Sequence, residues 1–275
     1  MTKISMKYLE ITQKIEIVLS NFVKANEHTM GYFQGLNFVA HFIVLLMEDP
    51  LQSLSLLSFV GESIYSVIPI DKTFFNFTKY RSGEGMMILI YTCERLIKQV
   101  SPAIFEHMQR KGISCQQFST NPLITLFTWH FKKQDKHAGK KLLYMIWDLI
   151  VLAPSWQTVL SVFLYILASL EDFIVVCEME DFLTFWETFY GSHEFWNLEV
   201  FDKSVLQNKI HPEKLEKLNC EAVRDRLVNI KKGVKKLDIN EEVMDLLHKE
   251  YLSNHNNIVD VLNKIHQQIE DGVHF

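Results

Sequence analysis

The 275-residue sequence lacks most of the short patterns that carry catalytic chemistry. Its four cysteines, Cys93, Cys115, Cys177 and Cys220, stand far apart and form no Cys-x-x-Cys pair. That spacing argues against zinc and against a disulfide framework, and fits buried thiols in a reducing compartment. The histidines form no His-Glu-x-x-His and no other paired metal-ligand spacing, so no metal is expected. His248-Lys249-Glu250 matches half of a deaminase site, but no Pro-Cys-x-x-Cys follows it. Ser82-Gly83-Glu84-Gly85 lacks the third glycine of a dinucleotide loop and the Gly-Lys-Ser/Thr of a phosphate loop, and reads as a turn. There is no Gly-x-Ser-x-Gly elbow. On chemistry alone the chain is not an enzyme, and no cofactor of its own is expected.

Basic charge is also missing. A net charge of −5 and a pI near 6.1 give no global case for nucleic-acid binding. The first ten residues, with Lys3, Lys7 and Glu10, do not read as a signal peptide. The longest apolar runs, Leu36 to Met47 and Val159 to Leu170, are interrupted by His41 and Ser161 and fall short of the ~20 residues that span a bilayer. Asn76-Phe77-Thr78 matches a glycosylation sequon, which carries no weight without a secretory signal. These features predict a cytoplasmic chain, at most peripheral on endomembranes. No internal repeat, low-complexity segment or strand-like alternation is present.

What is present is helical periodicity. Ile11, Ile15, Val18 and Phe22 predict an amphipathic helix over 9–25. Apolar helices follow over 36–47, 54–68 (closed by Pro69), 85–100, 104–111 (stopped at Gly112), 118–131, 142–152, 159–176 and 180–190. An aromatic loop with Phe74, Phe75, Phe77 and Tyr80 separates two of them. Asp148 lies inside an apolar helix, where a buried carboxylate needs a partner and reads as structural. Charge density rises after residue 200. There, Val223, Leu227, Ile230, Val234 and Leu237 form one apolar seam, and Ile258 to Ile269 a shorter one. Asp238 with Glu241 suggests a helix cap. The lysines at 231, 232, 235 and 236 read first as a solvated helix face, with a lipid or acidic-partner site as the alternative. The expected fold is all-α: a multi-helix domain over 1–200 and a charged helical extension over 201–275.

One stretch stands apart: Gly31-Tyr32-Phe33-Gln34-Gly35-Leu36-Asn37-Phe38-Val39-Ala40. A polar glutamine sits beside an aromatic pair and a glycine, where a loop becomes an apolar helix. Gly35 removes bulk beside Gln34, so a backbone or ligand can approach closely. Taken alone, the simplest reading makes Tyr32 and Phe33 core anchors and Gln34 a helix-start hydrogen bonder. The alternative is an amide positioned for chemistry at the end of a rigid helix.

This stretch resembles the glutamine motif of the TBC domain, the Rab GTPase-activating family, which reads Gly-Tyr-x-Gln-Gly-Met-Asn. Its surroundings are similar in order: Val18-Leu19 and Phe22 before it, then Gly112-Ile113, Phe118 and Leu123 to Phe127, then Ile146-Trp147-Asp148 and Val159 to Leu167. The resemblance covers about residues 10 to 190. It implies an all-helical fold that binds a Rab-type small GTPase, with GTP and Mg²⁺ carried by that partner. It implies that Gln34 orients the attacking water, that Tyr32, Phe33, Gly35 and Asn37 meet the GTPase, and that Gly31, Ile146, Trp147 and Asp148 are structural. The family's second catalytic group is an arginine in an upstream Ile-x-x-Asp-x-x-Arg. No arginine precedes Arg81 here, and Ile4 is followed at those spacings by Lys7 and Glu10. A lysine lacks the guanidinium fork. Pro122 and Pro154 replace a usual Trp and Gly. The resemblance therefore implies a divergent member that binds a GTPase and activates it weakly or not at all. The second expectation is a non-catalytic helical scaffold in membrane trafficking.

Overall fold

The computed structural model describes residues 3–27, 31–65, 84–129, 141–191, 203–207 and 209–254. Among these residues every regular element is a helix. α1 (Lys3–Ala25), α2 (Leu36–Met47) and α3 (Pro50–Val60) pack on one another, and α3 runs into a single π-helical turn, Gly61–Tyr65. α4 (Glu84–Val100), α5 (Pro102–Lys111) and α6 (Cys115–Ile124) form a second group. α7 (Lys141–Leu152), α8 (Trp156–Ser169), the short α9 (Glu171–Ile174) and α10 (Met179–Gly191) complete the main body. The aromatic loop, the sequon and the 258–269 seam lie outside the described residues.

α8 is the axis of this body. Ten of its residues, from Trp156 to Ser169, are buried, as its apolarity on all sides predicts. It touches α4, α6, α7 and α9. Phe118, Phe163, Phe182 and Trp186 interlock there, with ring centroids 5.0 to 6.0 Å apart. The Trp186 indole donates to the Phe118 carbonyl at 2.7 Å, so the cluster buries its one polar atom at no cost.

Several boundaries differ from the periodicity. Asp49-Pro50 ends α2 and also starts α3: the Asp49 carboxylate accepts from the Gln52 amide at 2.8 Å, and Pro50 sits in the first turn. α6 begins earlier than expected, at Cys115, because Ser114 and Gln117 form a reciprocal capping box. It also ends earlier, at Ile124, so Pro122 lies near its end rather than its start. The apolar run 159–176 is two helices that break at Leu170.

The described residues after 200 lie against the main body. Leu206, Ile210, Leu215, Leu218, Val223, Leu227, Ile230 and Leu247 belong to the same buried cluster as α1 to α10. The 223–237 seam is two helices, Cys220–Val228 and Ile230–Lys236, broken at Asn229 and packed on α8. Asn219 caps the first, accepting from the Ala222 amide at 3.0 Å. The next helix, 241–254, is capped by Asn240, whose side chain accepts from the Val243 amide. Asp238, expected as the cap, instead holds a left-handed φ of 49° in the connection.

That packing is close at Gly233. A Cβ there would fall within the Tyr165 ring, whose hydroxyl donates to the Arg226 carbonyl at 2.8 Å. Gly233→Ala is expected to destabilise the protein by about 1–3 kcal/mol in urea unfolding through overpacking. The penalty should shrink in a Tyr165→Leu background, since the two residues share one contact. Cys93, Cys115 and Cys177 are buried. Burial pushes the Cys177 thiol up to about 12 and raises Cys93 well above its ordinary value. A thiol reagent at neutral pH should therefore label the half-buried Cys220 first and the other three only on denaturation.

Candidate functional site

The loop between α1 and α2 alternates sharply in exposure: Tyr32 and Gln34 are exposed, while Phe33 and Gly35 are buried. Two glycines make the alternation possible. Gly31 has φ +60° and donates its amide to the Asn26 carbonyl at 2.8 Å. Nothing lies within 4 Å of a Cβ built there, so its role is conformational. Gly35 has φ +112°, and a Cβ would meet Thr125 Cγ2 at 3.3 Å and Ile124 Cγ2 at 3.4 Å. Its backbone thus rests on the end of α6, the close approach expected of a glycine beside Gln34.

Phe33 is the anchor. It is 1% exposed, and its ring meets Tyr65 in an edge contact at 4.7 Å. The Tyr65 hydroxyl donates to the Ile124 carbonyl at 2.9 Å, and burial raises its pKa well above the usual tyrosine value. Phe33, Tyr65, Ile124 and Gly35 therefore close a ring of contacts under Gln34. The π-helical turn at the end of α3 is what brings Tyr65 to that place.

The chain after α6 is a strained turn. Leu126 (φ 48°) and Phe127 (φ 67°) are both buried and both left-handed. Such a conformation costs roughly 1–3 kcal/mol per residue and persists only where the surroundings over-determine it. Here the Phe127 amide donates to the Pro122 carbonyl at 2.8 Å, the Thr128 hydroxyl to the Thr125 carbonyl, and the Trp147 indole to the Leu126 carbonyl at 3.1 Å. Trp147 also packs on Phe42 of α2 at 4.7 Å, and Ile146 beside it is fully buried. The tryptophan thus ties α2, α7 and the strained turn together.

The sequence-predicted residues divide into two sets. Tyr32, Gln34 and the half-exposed Asn37 reach the surface. Phe33 and Gly35, expected to meet a partner, are buried and hold the loop instead. Tyr32 is not a core anchor, being 50% exposed. Gln34 is not a helix cap: the N-cap of α2 is Gly35, with no side-chain cap bond. Asp148 is exposed rather than buried, and pairs with Lys231 at 2.8 Å. Tyr65, Ile124 and Thr125 were not legible as site residues, because nothing in their local spacing marks them.

Chemically, the site offers an exposed carboxamide on a rigid seat. Such a group donates and accepts hydrogen bonds but carries no proton to transfer near neutral pH. It can orient a water or a polar ligand and cannot act as a general acid or base. Among the described residues no three His, Cys, Asp or Glu side chains cluster as metal ligands. Arg95 and Arg226 are engaged elsewhere, with Glu250 and Asp172.

The family model of the Rab-GTPase-TBC domain matches residues 2–175, which takes in α1 to α9 and the whole seat of Gln34. A stretch of 103 residues, 37% of the chain, is 26% identical to the GTPase-activating protein GYP5 of Saccharomyces cerevisiae. It spans about a tenth, 10%, of that relative's length. With an all-helical fold and a family model that covers more than half of its length, the chain belongs to the Rab-GTPase-TBC domain family.

Proposed function

We propose that this chain is a regulator that binds a Rab-type small GTPase over the surface at the start of α2, with Gln34 at its centre. The observation that carries the reading is the exposure of Gln34 between two buried neighbours, Phe33 and Gly35. A flexible surface glutamine needs no such seat. The exposed Tyr32 and the half-exposed Asn37, on either side, supply direct contacts with the GTPase. GTP and Mg²⁺ come with that partner. Gln34 then orients the water that attacks the γ-phosphoryl group, with its carbonyl accepting from the water and its NH₂ donating to the phosphoryl oxygens.

An arginine finger supplied in trans is worth about 10³ to 10⁵ in rate. Residues 1–80 of this sequence contain no arginine to act in that way. Acceleration by this chain is therefore weak, and GTPase binding is its stronger property. A non-catalytic scaffold in membrane trafficking is the second reading, favoured by the same lack of arginine. Among the described residues no helix is long and apolar enough to cross a membrane.

A panel of Rab-type GTPases tests both readings. Binding is expected to prefer the GTP state, and single-turnover hydrolysis to rise modestly. Gln34→Ala should abolish that rise while leaving the melting temperature unchanged. Strong acceleration that survives Gln34→Ala would overturn the mechanism, and binding indifferent to nucleotide would favour the scaffold. Tyr65→Phe removes one buried hydrogen bond, so a loss of about 1 kcal/mol is expected. It should also speed amide exchange over 31–37 and lower any Gln34-dependent hydrolysis. Unchanged exchange there would show that Tyr65 does not hold the loop.

A further inference from the structure

The helix Ile230–Lys236 carries an exposed cationic face that the GTPase reading does not use. Residues 226–237 contain five basic side chains, Arg226, Lys231, Lys232, Lys235 and Lys236, and no acidic one, in a chain whose net charge is −5. The packing fixes where these lysines point. Ile230 and Gly233 are buried, and Val234 and Leu237 are half-buried, which makes one inward stripe. Gly233 lies directly on the Tyr165 ring, so the helix cannot rotate about its axis without a clash. All four lysines are held outward and exposed. Among the described residues only Lys231 has a carboxylate partner, Asp148.

That ion pair joins the lysines to a second feature. On α7, Tyr144, Asp148 and Leu152 stand one turn apart on a single face, and all three are exposed. Leu152 is 79% exposed, more than any other large apolar side chain described. Val228, three residues before Lys231, is 50% exposed. Lys231 meets Asp148 at the middle of the α7 stripe, so exposed apolar residues border the cationic face.

We infer that this face docks on an anionic lipid surface, with Lys232, Lys235 and Lys236 against the headgroups and Leu152 and Val228 at the acyl boundary. Charge complementarity requires an anionic partner, and the unpaired lysines supply the attraction. The aliphatic side chains beside them favour a bilayer over an acidic protein or a nucleic acid, because they gain only where apolar depth is available. The surface acts without any change at Gln34, so it is independent of the GTPase reading.

Flotation of the full chain with lipid vesicles tests this. Binding to vesicles of phosphatidylcholine with about 30% phosphatidylserine is expected, with none to phosphatidylcholine alone, and it should weaken as salt rises. Charge reversal at Lys232, Lys235 and Lys236 together should cost more than roughly 30-fold in partitioning. Reversal of three exposed lysines elsewhere, Lys24, Lys217 and Lys249, should cost far less. Leu152→Ser should weaken binding without changing charge. Melting curves for all variants should match the parent; where the glutamate variant melts early, the three-glutamine variant replaces it. No binding to anionic vesicles, an equal loss in both lysine sets, or capture by polyglutamate but not by vesicles would overturn the assignment.

Discussion

Phe33 inserted edge-on against Tyr65 is the contact on which the rest of the candidate surface depends. The conformation of the loop before α2 is set because one large ring is buried and one glycine lies flat on α6. Phe33 and Gly35 are buried on either side, while Gln34 between them is exposed. Tyr65 links the two halves of the seat, touching Phe33 with its ring and the Ile124 carbonyl with its hydroxyl. The site is thus built by packing from below and not by bonds to the glutamine itself.

Two of the four described non-glycine residues with left-handed backbone, Leu126 and Phe127, lie next to this seat. Two buried residues after α6 hold left-handed backbone, and a π-helical turn ends α3. Both features are costly in isolation. Trp147 stabilises the first by donating to the Leu126 carbonyl while its ring fills the space against Phe42. The same tryptophan sits in the Ile146-Trp147-Asp148 segment, so one short segment supports the loop with its second residue and receives the C-terminal lysine helix with its third.

The helices Cys220–Val228 and Ile230–Lys236 close one side of α7 and α8. Tyr165, Gly233 and Arg226 define the seam, and Arg226 also donates to the Ser169 carbonyl at 3.1 Å. A second clasp lies at α4, where Tyr91 and Arg95 both bind Glu250 of the 241–254 helix. Exposed ion pairs of this kind contribute little each. Burial of apolar side chains such as Leu218, Val223, Leu227 and Ile230 contributes more.

By itself the sequence determined the helical class, the apolar helices 36–47, 85–100, 104–111 and 142–152, and the family, through the order of its short motifs. Those readings succeed because helical period and breakers such as Gly112 act within a few residues. Only the tertiary structure decided that Gln34 is exposed, that Phe33 and Gly35 are its support, and that Asp148 lies at the surface. It also decided the ends of α6 and the breaks at Leu170 and Asn229. Periodicity records which face of a helix is apolar, not which neighbour covers it. Asp148 looked buried because its helix is apolar, yet it lies on an exposed face of α7, where Lys231 meets it. Tyr65 and Ile124 are 59 residues apart, and no local pattern can announce a contact formed across that separation.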